Sequence, residues 1–234
     1  MIRSTLISGL SLVIAMCAGA GASELIVVDS HGLRLPPGQT VDGSKPMALL
    51  DGQQVTLLSS SGQVLKLEGP SEATPDSKIS SGGADTKSAA TALLTEKRAR
   101  TSEVGVVRGE ADVKLPDPWV VDVTHPGTSC IQAGRPVVLW RSEDLSATQV
   151  TIAPADRSWT VSGNWPPAAD RLSMPANLPL RDHTAYVINV GGKPAPVTLR
   201  LIPSSVTSDV MRAGWMSQVG CDNQANALLA MLAK

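Results

Sequence analysis

Two cysteines, Cys130 and Cys221, enclose most of the C-terminal half of this chain of 234 residues. The third cysteine, Cys17, lies in an N-terminal segment that we expect to be removed on export. An even number of cysteines in an exported chain favours a disulfide. A Cys130–Cys221 bond would close one domain and stabilise it by about 4–5 kcal/mol in a chain-entropy treatment. Two separate buried thiols are the alternative.

The first 22 residues have the layout of a secretory signal peptide. Arg3 provides a positive charge, residues 6–15 form an apolar run, and residues 18–22 offer small side chains for cleavage. The apolar run is too short for a comfortable membrane span. We therefore expect a periplasmic or secreted protein with no transmembrane segment after cleavage. An uncleaved anchor and a lipoprotein modified at Cys17 are the alternatives.

Composition limits both the core and the partners. Aromatic residues make up 3% of the chain and include no phenylalanine, so aliphatic residues must fill most of the core. Glycine and proline number 20 and 17, which predicts many turns and short elements. The net charge of −1 lacks the basic excess that attracts nucleic acid or an anionic membrane. We therefore expect no nucleic-acid partner.

Residues 24–70 predict a small meander of short strands. The run at 24–29 is rich in β-branched residues, which favours a strand. The Asp51-Gly52 dipeptide predicts a hairpin turn between two neighbouring strands. Residues 63–68 alternate apolar and polar side chains, as a half-buried strand does.

Part of this meander resembles a FecR-type domain. The match consists of the sequences LDGQQVTLL at 50–58 and SGQVLKLEGP at 61–70. FecR-type domains are periplasmic β domains of bacteria, so the resemblance implies a β fold in the cell envelope. It also implies, as one possible role, a signalling or regulatory module that acts with a membrane-embedded partner. The whole chain is similar to exported bacterial proteins that pair such a segment with a tryptophan-containing C-terminal domain.

Residues 71–103 are predicted to be a flexible linker followed by a short helix. Residues 71–87 contain one large aliphatic side chain and cannot bury enough apolar surface to offset the entropy of ordering. Residues 88–100 contain strong helix formers. We therefore expect residues 24–70 and 104–234 to be separate units.

Residues 104–234 predict a mainly β domain, an antiparallel sandwich or small barrel closed by a C-terminal helical hairpin. Short runs at roughly ten-residue spacing favour this architecture. The clearest strands are expected at 119–123, 136–141, 148–152, 158–162, 184–190 and 196–202. Ser208 or Thr207 can cap a first helix and Asp222 a second, with Gly220 at the C-terminal cap between them.

The sequence lacks the motifs of the common catalytic and cofactor sites. It contains no G-x-S-x-G, G-x-G-x-x-G, P-loop or H-E-x-x-H sequence. His31, His125 and His183 are scattered and are expected in surface loops. We therefore predict no catalytic residue, metal or cofactor, and a non-catalytic exported cell-envelope protein that binds or scaffolds an envelope protein. A FecR-type signalling module and an enzyme with an unfamiliar site are the alternatives.

The tryptophans are the candidates for a ligand platform. Four of the five lie between the cysteines: Trp140, Trp159, Trp165 and Trp215. Such residues more often fill the core of a small β domain that has no phenylalanine. Trp165, which precedes two prolines, is the one we expect to be partly exposed. With Trp140, it forms the candidate platform.

Overall fold

The computed structural model describes residues 23–79, 113–142 and 146–232, and the predicted signal peptide and the helix at 88–100 lie outside these residues. The described chain is mainly β, as predicted. Its strands are β1 Glu24–His31, β2 Thr40–Asp42, β3 Met47–Leu49, β4 Gln54–Leu58, β5 Val64–Glu68, β6 Ser71–Ala73, β7 Val120–Asp122, β8 Gly127–Gln132, β9 Val138–Trp140, β10 Thr148–Pro154, β11 Val161–Trp165, β12 Arg171–Ser173, β13 Thr184–Val190 and β14 Lys193–Ile202. Its helices are a 3-10 turn at Pro75–Lys78, α1 at Asp209–Gln218 and α2 at Asp222–Leu232.

The N-terminal strands form an antiparallel sheet in the order β2-β1-β4-β5. Strand β1 is central and its apolar run is buried on both faces. Leu25 and Val27 point into the core of the N-terminal part. Ile26 and Val28 belong to clusters that include residues of the C-terminal helices. The unbroken apolar run therefore reflects a strand that is covered on both sides.

The turn at Asp51-Gly52 forms, but the predicted hairpin between its flanking strands does not. Strand β3 pairs instead with β6, and the two make a separate small sheet. A Cβ atom on Gly69 would lie 1.8 Å from the carbonyl oxygen of Leu50. Glycine is therefore required where the chain returns to pair β6 with β3.

The predicted flexible linker is ordered at its start, which corrects its boundary at residue 71. Residues Ser71–Ala73 are β6, and the 3-10 turn Pro75–Lys78 follows. The Asp76 backbone N–H donates to the carbonyl of Gly43 at 2.9 Å, and its carboxylate accepts from the Ser23 hydroxyl. Ile79 packs against the N-terminal core. Hydrogen bonds with other parts of the N-terminal region therefore order residues 71–79, although their composition alone favours disorder.

The C-terminal strands form a five-stranded sheet, β11-β10-β13-β14-β8, and a three-stranded sheet, β12-β9-β7. Most neighbours are antiparallel, as predicted, but β14 pairs with β8 and β7 with β9 in parallel. Both sheets are open within the described residues, so the barrel form of the prediction is not realised. Side chains of the two sheets share one buried cluster that includes Val121, Leu139, Ile188 and Leu199.

The two C-terminal helices follow the sequence prediction closely. The Ser208 hydroxyl accepts from the Met211 backbone N–H at 3.2 Å, the N-terminal cap of α1. Gly220 has a φ of 86°, a left-handed conformation suited to the turn between the helices. Helix α2 begins at Asp222 itself, so this residue lies in the first turn of the helix and is not the cap that precedes it.

The N-terminal sheet packs directly on helix α1, contrary to the expectation of two separate units. Val28, Leu58 and Val210 form one buried cluster. A Cβ atom on Gly214 would lie 2.6 Å from the Leu58 side chain. A side chain at this position would require the Leu58 side chain to move, so sheet and helix lie close together and the two parts share apolar burial.

Candidate binding groove at Trp119

The two cysteines join the sheet to the helical hairpin. Cys130 lies inside β8, a strand that was not among those expected from the sequence, and Cys221 lies between α1 and α2. Their sulfur atoms are bonded and their Cα atoms lie 5.9 Å apart, within the usual range for a disulfide. Both residues are fully buried. The cross-link therefore fixes the start of α2 against β8.

Gln224 makes a second link at the same place. Its side-chain oxygen accepts from the Cys130 backbone N–H at 2.5 Å, and its amide nitrogen donates to the Cys130 carbonyl at 2.9 Å. The same nitrogen donates to the carbonyls of Pro118 at 2.9 Å and Val120 at 3.2 Å. The buried amide thus takes the place of a neighbouring strand at Cys130. It also holds the chain on both sides of Trp119.

Trp119 lines a groove of about 260 Å³ and is partly buried there. We call it the Trp119 groove. It lies beside the end of β8, the start of β9 and the end of β12. The residues that line it are Trp119, Cys130, Ile131, Gln132, Arg135, Pro136, Val137, Val138 and Ser173. Most of these side chains are apolar and one is ionisable, the composition expected of a binding groove with one charged contact.

Local geometry fixes Trp119 at the edge of this groove. The Asp117 side chain accepts from the Trp119 backbone N–H at 2.8 Å. Asp117 is itself paired with Arg171, with 3.5 Å between the charged atoms. Together with Gln224, these contacts hold the backbone of Trp119 from both neighbouring residues. The indole is therefore presented from a constrained segment.

Arg135 supplies the charge at the rim of the groove. It follows Gly134, whose φ of 74° turns the chain, and its N–H donates to the Gln132 carbonyl at 3.3 Å. Its side chain is exposed and has no ion-pair partner within the described residues. The Arg135 guanidinium is therefore available to an anionic group of a ligand.

The predicted platform of Trp165 and Trp140 is wrong because both side chains are buried. Trp165 is 0% exposed and Trp140 is 8% exposed. Trp165 ends β11, and its indole N–H donates to the Ala169 carbonyl at 3.0 Å. Trp140 packs with Leu115 and Val120. Neither ring offers a face to a ligand.

Arg141 stacks on Trp165, and both side chains are buried. Together with the three residues whose carbonyls bind the guanidinium, they form what we call the Arg141 corner: Arg141, Ser146, Trp165, Pro166 and Ala169. The Arg141 guanidinium lies 4.6 Å from the centre of the Trp165 ring. It donates to the carbonyls of Ser146 at 2.9 Å, Ala169 at 3.2 Å and Pro166 at 3.3 Å. Arg141 is 4% exposed. Carbonyl oxygens and an aromatic face thus satisfy this buried cation.

A second arginine–tryptophan contact connects β14 to α1. The Arg200 guanidinium lies 5.6 Å from the Trp215 ring centre, and it pairs with Asp182 at 3.2 Å. Partial burial would raise the pKa of Asp182. Hydrogen bonds from the Leu201 backbone N–H and from Arg200 outweigh it, so the pKa of this carboxyl lies below its ordinary value.

The histidines lie in turns or at strand ends, and one has a carboxylate partner that sequence reasoning did not identify. The His125 ring nitrogen Nδ1 lies 2.9 Å from the Asp122 carboxylate. This pair lines a cleft of about 20 Å³, room for about one water. His183 is exposed. The carboxylate of its neighbour Asp182 accepts hydrogen bonds from Arg200 and from the Leu201 backbone N–H.

A second groove, of about 360 Å³, lies between α2 and the segment 113–118. Its lining is mostly apolar and includes Met231, whose side chain is 55% exposed. Lys114 is its one ionisable residue. This groove lacks a partly buried aromatic ring, so the Trp119 groove is the stronger candidate.

No protein-family model and no curated protein sequence matches the chain. Among the described residues, no helix combines the length and hydropathy that crossing a bilayer requires. Within the same residues, no three His, Cys, Asp or Glu side chains lie close enough to share a metal ion.

Trp119 was absent from the sequence-based list of ligand candidates because it lies before Cys130 and reads as the first residue of a strand. The strand in fact begins at Val120, one residue later. Pro116 and Pro118, just before it, could have indicated this position, since prolines that precede a strand favour a rigid, exposed segment there.

Proposed function

We propose that this protein is a non-catalytic, exported cell-envelope protein that binds its partner through the Trp119 groove. The observation that carries the proposal is the composition of that groove. A partly buried indole, aliphatic walls and one guanidinium that pairs with no described carboxylate can hold a ligand. They offer no group positioned for proton transfer or nucleophilic attack.

The cross-link supports the proposed location. A disulfide persists in an oxidising compartment, and the layout of residues 1–22 matches an export signal. Mass spectrometry of protein purified from the periplasm should show an N-terminus near Ser23 and bonded cysteines. A diacylglycerol on Cys17 would instead place the protein on a membrane.

Binding is tested with anilinonaphthalene sulfonate, a probe with an aromatic body and one anionic group. In an amide chemical-shift titration, the largest changes should fall at Trp119, at residues 130–138 and at Ser173. Trp119→Leu keeps an apolar side chain but removes the indole, and it should weaken binding about tenfold, the equivalent of about 1.4 kcal/mol.

Trp159→Leu is the matched control for this measurement. Trp159 is also partly buried, but its ring packs on Tyr186, with ring centres 5.9 Å apart, and it does not line the groove. The control should leave the affinity for the probe unchanged. Shifts that are scattered over the surface, or equal losses in both variants, would contradict a binding role for the groove.

A further inference from the structure

We propose that the partner of the Trp119 groove is an extended peptide segment with an acidic residue, which adds as a strand to the open edge of β12. This inference rests on the proposed binding function and specifies the class of ligand. It follows from a strand edge that pairs with no other described strand, the position of Ser173 and the charge of Arg135.

Strand β12 (Arg171–Ser173) is an outer strand of the three-stranded sheet, with β9 as its neighbour. At the C-terminal end of β12, the Met174 N–H donates to the Val137 carbonyl at 2.8 Å. At its N-terminal end, the Arg141 N–H donates to the Asp170 carbonyl at 3.0 Å, so both bonds are made with residues that flank β9. These bonds fix which residues of β12 face β9.

In an antiparallel ladder, alternate residues direct their backbone groups to one neighbour. Leu172, which pairs with Leu139, therefore faces β9. The backbone N–H and C=O groups of Arg171 and Ser173 face away from it, and both residues are exposed. An extended peptide can satisfy these groups by pairing along the edge.

Ser173 joins this edge to the groove, because it belongs to β12 and also lines the groove. A strand added there would lie about 4.8 Å from β12, and every second side chain would point to the same face. The structure therefore provides backbone pairing at the edge and an apolar site beside it for one alternate side chain.

Arg135 gives the peptide its charge preference. It is the only ionisable residue among those that line the groove, and it has no ion-pair partner in the described chain. The nearby Arg171 already pairs with Asp117 and Asp170. Arg135 is thus the cation that remains for a carboxylate on the bound peptide.

The probe for the test is a phage-displayed library of linear peptides, selected on the full mature protein. Enriched peptides should alternate apolar residues and include an acidic one. Synthetic versions are then N-methylated on alternate backbone amides. Methylation of one alternate set should weaken binding at least about tenfold, and methylation of the other set should not. This pattern is the signature of strand pairing.

Two pairs of variants test the protein side. Ser173→Pro removes the outward N–H and should weaken peptide binding about tenfold, clearly more than Ser173→Ala, which keeps this N–H. Arg135→Ala should weaken acidic peptides more than their glutamine analogues, and Arg34→Ala, which alters an exposed arginine of the N-terminal part, should have no effect.

The two proposals fail in different ways. A library without enriched peptides, or equal effects of both methylated sets, would overturn strand addition even if anilinonaphthalene sulfonate still maps to the groove. Failure of the sulfonate probe and of the peptides together would overturn the proposed function itself. Enrichment of peptides without acidic residues would overturn the role of Arg135.

Discussion

The Arg141 corner and the Trp119 groove each contain an arginine and a tryptophan, but the two regions differ in how far the chain encloses these side chains. In the corner, the chain itself supplies carbonyl oxygens and an indole to a buried arginine. In the groove, Arg135 is exposed and Trp119 is partly buried. The comparison favours the groove as the proposed binding site, because there the chain encloses neither the arginine nor the tryptophan.

Removal of the Cys130–Cys221 disulfide should produce the largest difference in stability between the two regions. Cys221→Ser should lower the free energy of unfolding by about 4 kcal/mol, because the bond closes a long loop of the chain. Hydrogen exchange should show early loss of protection in α1, α2 and residues 113–120. The Arg141 corner should keep its protection, since β9, β11 and the loop that follows β11 contain neither cysteine.

The double variant Cys130→Ser, Cys221→Ser is the control for an unpaired thiol and should behave like the single variant. Uniform loss of protection across both regions would contradict the separation. Free thiols in protein purified from the periplasm would remove the basis for the cross-link altogether.

Arg141→Leu should destabilise the corner by about 3 kcal/mol, because the carbonyls it satisfies lose their donor. Arg135→Leu, the matched change in the groove, should alter stability by less than about 0.5 kcal/mol, since that side chain is exposed. Denaturant unfolding of the two variants measures the difference. Equal losses would mean that Arg135 also has a structural role.

Gln224→Ala should cost about 2 kcal/mol, because four hydrogen bonds to buried backbone groups are lost. It should also free the segment that carries Trp119 and weaken binding of anilinonaphthalene sulfonate. The control is Gln149→Ala, an exposed glutamine of β10 outside the groove. A loss of stability without a change at Trp119 would show that Gln224 supports only the helix.

The smallest expected effect concerns Asp182, which faces Arg200 and Leu201. Because the pKa of Asp182 is lowered in the folded state, its contribution is present above the ordinary value and is lost as pH falls below about 4. Asp182→Asn should therefore flatten this part of the stability profile. Thermal unfolding at several pH values measures it, and an unchanged profile would contradict the assignment.

Local patterns predicted some elements well. Strand β13 occupies 184–190 as expected, and α1 begins after the Ser208 cap, because alternation and capping act over a few residues. The Asp51-Gly52 turn was also correct. Which strand β3 pairs with depends on the return of the chain at Gly69, a distant contact that local sequence does not encode.

The site was harder to predict because it depends on burial by distant segments. Trp165 precedes two prolines, which favoured an exposed loop, but Ala169 and Arg141 enclose its ring. Strand β8 lacks a clear apolar alternation and was missed as a strand, although it carries Cys130. Gln224 reads as an ordinary helix residue until β8 and the segment before β7 are placed beside it.

The contact between Leu58 and Gly214 has a consequence for the order of folding. Strands β1 and β4 are synthesised long before helix α1, which covers their Ile26, Val28 and Leu58 side chains. Contacts between such distant parts of a chain slow folding. The N-terminal sheet must keep an uncovered apolar face until α1 has been synthesised, which makes the nascent chain a candidate for chaperone binding.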